Sequence, residues 1–338
     1  MKESLDGEKR PLWHWLLARH SQTPKTRAKQ WILAGRVSVD GKVLRRAQEL
    51  MGDPGESLQL LERRATSLEP GGEWRIHPRV GLLFLDGAMA IVNKGPGLIS
   101  VPAGGGELSA LSIVADFLAG KLKAVARGPG GRTLPPAYRN LQPLPVHRLD
   151  QYTSGVFCLA MNAAARGRLI DQLNARAMKR EYVAFVEGRA ATPSGTWRHW
   201  TALNEDETRQ QIVAAPKGGE GRGEVEAVTH FEVVAEYSVF GGKGRVTKLR
   251  LRLETGRKHQ IRAQAAHVGL PLIGDRAYHP KYAPAAGVRA EIPFSRQALH
   301  AATLTLEHPQ RPGQWMTWRA EMPKDLRELE ENLREGRY

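Results

Sequence analysis

From residue 10 to residue 62 the apolar positions follow first a helical period and then a strand period. PLWHWLLARH, opened by Pro11, sets Leu12, Trp15 and Leu16 on one face, with Arg19 continuing it. Thr23 suits an N-cap and Pro24 the first helical position of a second helix, PKTRAKQWIL, which should stop at Gly35. VSVDGKVL then alternates around Asp40-Gly41, a dipeptide that tolerates the positive φ angles of a tight hairpin. The pattern predicts two short helices followed by a hairpin.

Residues 66–79 are rich in Glu, Pro and Gly and read as a linker. Beyond them the period is mostly two. LLFLDGAMAIVNK predicts two strands around Asp86-Gly87, AARGRLIDQLNARA a helix, and EYVAFVEG, VTHFEVVAEY and VTKLRLRLETG three strands. In the last, Leu249, Leu251 and Leu253 alternate with Lys248, Arg250 and Arg252. LRELEENLRE fits a C-terminal helix, assigned to residues 326–338. Strands dominate and helices fall between them irregularly. The fold class expected is therefore α+β with a mixed, largely antiparallel sheet, not a regular βαβ winding. The domain plan is a small α/β unit at 10–65, a linker at 66–79, a main domain at 80–325 and the terminal helix. GKLKAVARGPGGRTLPPAYRN, residues 120–140, carries five basic residues and no acid and reads as a mobile surface loop; residues 217–223 form a second glycine-rich loop.

Composition narrows the function. The 338 residues suit about two domains at roughly 150 each. With 41% apolar residues and a mean hydropathy of −0.42, the chain reads as an ordinary globular protein. No apolar run approaches the roughly 18 residues of a membrane helix. MKESLDGEKR lacks the apolar segment of a secretory signal, so the expected compartment is the cytoplasm. The single cysteine, Cys158, sits in apolar VFCLAM and reads as core; alone, it excludes an internal disulfide and a multi-cysteine metal site. A net charge of +15 points to a polyanionic partner, with nucleic acid ranked above a membrane surface. A monomer is expected.

Between Arg19 and Arg46 stand eight basic residues and one acid. They are either a solvated helix face or a phosphate-contacting one, with Arg19, Lys25, Arg27, Lys29, Arg36 and Lys42 as candidate contacts. The arrangement resembles the S4-like RNA-binding domain, in which a basic helix precedes a G-x-V-x-V-[ND]-G-K hairpin. Here that signature stands as Gly35, Val37, Val39, Asp40, Gly41 and Lys42. Other motifs are missing. Each Gly-Lys pair lacks the Ser or Thr of a phosphate loop, and GGKG at 241–244 is no dinucleotide fingerprint. G-x-S-x-G and H-E-x-x-H do not occur. His259 and His267 have no evident third partner for a metal. No cofactor and no metal are expected.

The most informative segment is VHRLDQYTSGVFCLAMN, residues 146–162. By itself it fits two accounts: an Asp-initiated turn between strands, with Asp150 bonding its own backbone, or a catalytic carboxylate beside two basic residues. His147, Arg148, Leu149, Asp150, Thr153, Ser154 and Gly155 complete H-R-L-D-x-x-T-S-G, which resembles the signature of the RluA-type pseudouridine synthases. Three further segments resemble that family in order. They are LLFLDGAMAIVNKGPGLISVP, with Gly95 where proline is usual; KREYVAFVEG, through Lys179 or Arg180, Tyr182, Ala184, Val186 and Gly188; and LETGRKHQIRAQAAHVGLPLIGD, with Lys258 and Gln264 replacing a Thr and a His. The likeness covers about residues 80–310.

The resemblance implies the pseudouridine synthase fold and activity. Isomerising uridine breaks a carbon–nitrogen glycosidic bond, turns the uracil and joins its ring carbon to the sugar, with no energy or electron donor. One carboxylate serves as nucleophile or base, and Asp150 is the candidate. A carboxylate kept ionised in a dry pocket needs a cation nearby. The family match gives that role to Arg262, which by itself would read as a surface residue of a basic strand. A stacked uridine is out of reach, so the base must flip, at a cost of about a few kcal/mol. By the same resemblance Arg148 fills the vacated space and Tyr182 packs on the uracil. His147 and His259 hold local backbone, His147 also being counted with the RNA-binding residues, and His300 is structural. Large-subunit ribosomal RNA is the first expected target and transfer RNA the second. Two rivals stay open: a non-catalytic RNA-binding assembly factor, and a glycosylase that would release free uracil.

Overall fold

The computed structural model describes residues 9–338 except 22, 34–36, 45, 61–71, 103, 105, 126–132, 140, 217–222 and 283–290, and except the side chains of Arg27, Gln30 and Val43. Arg36, the Arg27 side chain, and parts of the loops at 120–140 and 217–223 therefore lie outside the described residues. The chain divides into two compact units, Met1–Ala65 and Thr66–Tyr338.

The small unit holds β1 (Arg10–Pro11), α1 (Leu12–Arg19), α2 (Lys25–Leu33), β2 (Val37–Val39), β3 (Lys42–Leu44), β4 (Leu50–Met51) and β5 (Gln59–Leu60). Leu12, Leu16, Ala28, Ile32 and Val37 form its fully buried centre. The expected hairpin is present: Asp40 and Gly41 take φ angles of 52° and 74°, and β2 pairs with β3. The flanking strands β1, β4 and β5 have two residues each, too few to show a period.

The large unit is built on one sheet of twelve strands. Its elements are β6 (Trp74–His77), β7 (Val80–Leu85), β8 (Met89–Lys94), α3 (Ala110–Leu118), β9 (Leu144–Pro145), β10 (Ser154–Ala160), α4 (Ala163–Asn174), β11 (Lys179–Glu187), β12 (Ser194–Leu203), β13 (Gln210–Val213), β14 (Val225–Val239), β15 (Gly244–Leu253), α5 (Gln260–His267), β16 (Leu299–Glu307), β17 (Trp315–Arg319) and α6 (Lys324–Arg334). The order is β13-β12-β14-β15-β11-β16-β10-β8-β7-β6, with β17 on β16 and β9 on β10. Among these ladders only β10 and β16 run parallel. The α+β class with a mixed, largely antiparallel sheet is thus the observed one.

Three expectations need correcting. Residues 74–77 are not linker but edge strand β6: Trp74 and Ile76 are buried, and Trp74 meets Phe117 of α3 edge to face at 5.0 Å. Two apolar residues in alternation outweigh the Gly and Pro around them. The terminal helix begins at Lys324, not 326, and belongs to the main body, because Leu326, Leu329 and Leu333 pack with Phe185 and Val246. Arg262 lies not on a strand but on α5, six of whose eight residues are buried.

Strand β10 fixes the loop before it, which carries the candidate Asp150. Phe157 and Leu159 face one core cluster, and Val156, Cys158 and Ala160 another, so the strand is buried on both faces and reads as an unbroken apolar run. It meets β16 at Ser154↔His300 and Gly155↔Ala301. Gly155 has φ 117°, and a Cβ there would lie 2.1 Å from the Ala301 carbonyl oxygen. Gly155→Ala is therefore expected to lower stability by about 3 kcal/mol or more, from strain plus overlap. Gly167→Ala, inside α4 with nothing within 4 Å of the new methyl, is expected to be neutral or stabilising by up to ~1 kcal/mol. Urea unfolding of both variants checks the contrast.

Candidate active site

The loop preceding β10, the start of β11, the turn after β15 and the first turn of α5 enclose a cleft of about 430 Å³. Asp150, Tyr182, Arg262, Arg148 and His147 all line it, although 112 residues separate Asp150 from Arg262.

Asp150 is held through its own backbone and that of its neighbours. The Ser100 hydroxyl donates to the Leu149 carbonyl at 2.9 Å and accepts the Leu149 N–H at 3.0 Å. The Asp150 carbonyl accepts the Thr153 N–H at 3.1 Å. The Gln151 carbonyl accepts Lys94 Nζ at 3.0 Å, and the Tyr152 carbonyl accepts Arg296 Nη1 at 3.0 Å. Four consecutive carbonyls are thus taken. The Asp150 carbonyl closes the turn, whereas its carboxylate leaves the turn for Arg262 and the cleft, so the account in which that side chain bonds its own backbone does not hold. Lys94 is fully buried and also donates to the Gly95 and Leu98 carbonyls. Burial pulls its pKa down to about 7, against the opposing pull of the Asp150 charge.

Arg262 supplies the cation. Its Nε and Nη2 clamp Asp275 at 2.7 and 2.8 Å, and Nη1 reaches Asp150 Oδ2 at 3.1 Å. Burial disfavours the guanidinium charge, but Asp275 and then Asp150 more than reverse this, so its pKa ends above the ordinary value. Asp275 is fully buried and also accepts the N–H groups of Ala277 and Tyr278. The helix carrying Arg262 is seated by Gln264, whose Oε1 accepts from Thr229 Oγ1 at 2.6 Å and whose Nε2 donates to the Ala227 carbonyl at 2.9 Å. A glutamine fills this buried place with both ends of its amide paired.

The histidines divide by environment. His147 Nε2 accepts the Cys158 N–H at 3.1 Å, which requires a neutral ring, and burial followed by the Arg180 charge brings its pKa down to about 3. It braces β10 and offers RNA no positive charge. His259, with φ 51° ahead of α5, sits 3.9 Å from Asp150 Oδ2 and 3.2 Å from the Tyr278 hydroxyl. His267 instead packs edge-on against His199. His300 bridges Ser154 Oγ and the Ala320 carbonyl, each at 3.0 Å, as a structural strut. Tyr182 is buried, and burial raises its pKa, so its hydroxyl is neutral at pH 7. Among the described residues no group of three or more His, Cys, Asp or Glu is placed to hold a metal ion. No helix among them is long and apolar enough to cross a membrane.

The other candidate contacts lie on the small unit. Arg19, Lys25 and Lys42 are exposed, and Lys25 Nζ stands 3.9 Å from the centre of the Trp13 ring, with Lys29 at 5.7 Å. Sequence reasoning assigned no role to Lys94, Ser100, Asp275 or Arg296. Lys94, Ser100 and Asp275 stand inside the quoted motifs, but nothing local shows what they touch.

A family model described as RNA pseudouridylate synthase matches residues 88–267. The chain is 33% identical over 319 residues to ribosomal large subunit pseudouridine synthase D of Escherichia coli (strain K12), covering 92% of this chain and 86% of that protein. It is 29% identical over 322 residues, covering 95% and 93%, to YlyB of Bacillus subtilis (strain 168), described as an uncharacterized RNA pseudouridine synthase. Among solved structures, human RNA pseudouridylate synthase domain containing 4 shares the fold, with a TM-score of 0.54 at 20% identity over 75% of this chain and 92% of that one. The chain belongs to the RNA pseudouridylate synthase family.

Burial pulls the pKa of His259 down to about 4; the Asp150 charge pulls upward and Arg262 downward. His259 should therefore titrate near 4 by NMR, and Asp150→Asn should move it lower still, because the group favouring its proton is removed. A value at or above 6.5 in the wild-type protein, or a rise in the variant, contradicts this electrostatic account.

Proposed function

We propose that the chain isomerises uridines of large-subunit ribosomal RNA and that Asp150 carries the reaction. The observation behind this reading is the 3.1 Å contact between Arg262 and Asp150 in the cleft that Tyr182 lines. The reaction breaks the bond from C1′ to N1, joins C1′ to C5, and moves the C5 proton to solvent while N1 takes one up. Atoms and electrons balance without a donor. Arg262, itself neutralised mainly by Asp275, orients the Asp150 carboxylate without cancelling it. The pinned carbonyls around Asp150 hold that carboxylate ready before substrate arrives.

The target base enters by flipping, at a cost of about a few kcal/mol. Arg148, exposed two residues before Asp150, fills the gap left in the RNA. Tyr182, as a neutral aromatic, packs against the uracil face. The small unit serves as an S4-like phosphate-contacting module through Arg19, Lys25, Lys29 and Lys42, giving affinity without reading sequence. Ribosomal RNA ranks ahead of transfer RNA because the Escherichia coli relative is a ribosomal large subunit pseudouridine synthase.

The test is incubation with unmodified large-subunit ribosomal and transfer RNA, followed by carbodiimide mapping of pseudouridine. Wild-type protein should modify the ribosomal transcript. Asp150→Ala should lose at least ~10²-fold in rate while still binding RNA. Free uracil in place of pseudouridine would instead make the protein a glycosylase. An Asp150→Ala protein of unchanged activity would remove Asp150 from the mechanism.

A further inference from the structure

Arg180 stands two residues before Tyr182 on β11, so both side chains project from the same face of the strand into the cleft. It is 7% exposed. Nη2 donates to the Thr255 carbonyl at 3.2 Å, while Nε is buried with no hydrogen-bond partner. Among the described residues no carboxylate pairs with it. The other buried arginines of this unit are treated differently: Arg262 clamps Asp275, and Arg296 clamps Asp325 at 2.7 and 3.0 Å. A guanidinium does not give up its proton, so Arg180 keeps a nearly buried, unneutralised charge. The turn after β15 seats it closely, since a Cβ on Gly256 would lie 2.5 Å from Arg180 Nη1. The chain holds this cation in place and leaves it without a counter-ion.

We propose that Arg180 is an anion seat within the cleft that receives a phosphodiester oxygen of the RNA at the target nucleotide. The missing counter-charge then arrives with the substrate. A uracil carbonyl is neutral and would leave the charge unbalanced, so the phosphate is the matching partner. This rests on the reading of the Asp150 cleft as the place where the nucleotide enters. Arg180 makes no bond to the reacting atoms; it fixes the strand from which the base turns toward Asp150.

The experiment uses full-length wild-type, Arg180→Met and Arg180→Lys proteins and an unmodified transcript of large-subunit ribosomal RNA, with affinity measured across a range of salt. For Arg180→Met we expect binding about tenfold weaker at low salt. The slope of log affinity against log salt should be shallower by about 0.7–0.9, the share of one phosphate contact. Without RNA its melting temperature should equal or exceed that of the wild type, because an unpaired buried charge has been removed. Arg180→Lys should keep the wild-type slope. An unchanged slope in Arg180→Met, even with weaker binding, overturns the proposal in favour of a neutral contact. If both slope and melting temperature fall, recovery of the slope by Arg180→Lys supports the seat, and failure to recover it assigns Arg180 a structural role. Pseudouridine is scored on the same samples: its absence with wild-type protein counts against the Asp150 reading, whereas the salt slope alone judges Arg180.

Discussion

Arg262 is the point on which the cleft depends. One guanidinium is shared between a fully buried aspartate, Asp275, and a partly exposed one, Asp150. The division is unequal: two hydrogen bonds go to Asp275 and one to Asp150. Asp275 neutralises most of the charge, and the third donor remains to orient Asp150 without cancelling it. Such a buried cluster is not a source of net stability, because desolvation offsets the attraction. Its value lies in register. Removing Asp275 leaves an uncompensated buried charge on Arg262, at a cost of roughly 3–5 kcal/mol for a fully buried pair. The geometry is therefore held in one state.

The rest of the large unit serves that geometry. The parallel junction of β10 and β16 brings Gly155 against Ala301 with no room for a side chain, and the loop carrying Asp150 leaves the sheet at that point. Lys94 and Ser100, at the end of β8 and in the loop after it, and Arg296, just before β16, then tie its carbonyls to two separate parts of the unit. Backbone carbonyls are suitable anchors because they cannot adopt alternative rotamers. Gln264 performs the corresponding task beneath α5. A glutamine there keeps the helix seated with no group that titrates.

Charge is used in two ways. On the small unit, lysines are exposed or laid over Trp13, where solvent screens them and their attraction for a polyanion is long-ranged and salt-sensitive. In and beneath the cleft three cations are nearly buried and individually assigned: Arg262 to two aspartates, Lys94 to three carbonyls, Arg180 to a backbone turn. The first arrangement acts on any polyanion at long range; the second needs contact at fixed positions.

Much of the fold was legible because it is local. The Asp40-Gly41 hairpin, the paired strands around Asp86-Gly87 and the alternating leucines of β15 follow from periods of two and from residues that accept positive φ. The candidate aspartate, tyrosine and arginine were legible through motif likeness, which carries no geometry. What escaped was non-local. Trp74 and Ile76 look like linker residues until α3 and the sheet cover them. Arg262 reads as a surface residue until Asp275, 13 positions later, folds back against it. The absence of a counter-ion at Arg180 is a fact about what is not nearby in space, and no stretch of sequence records that. The sequence by itself determined the hairpins, most of the strands and the identities of the candidate groups, because backbone preference and burial pattern act over a few residues. The tertiary structure alone decided which charges meet and which remain unpaired, because electrostatic balance in a low-dielectric cleft depends on three-dimensional neighbours up to 112 residues apart.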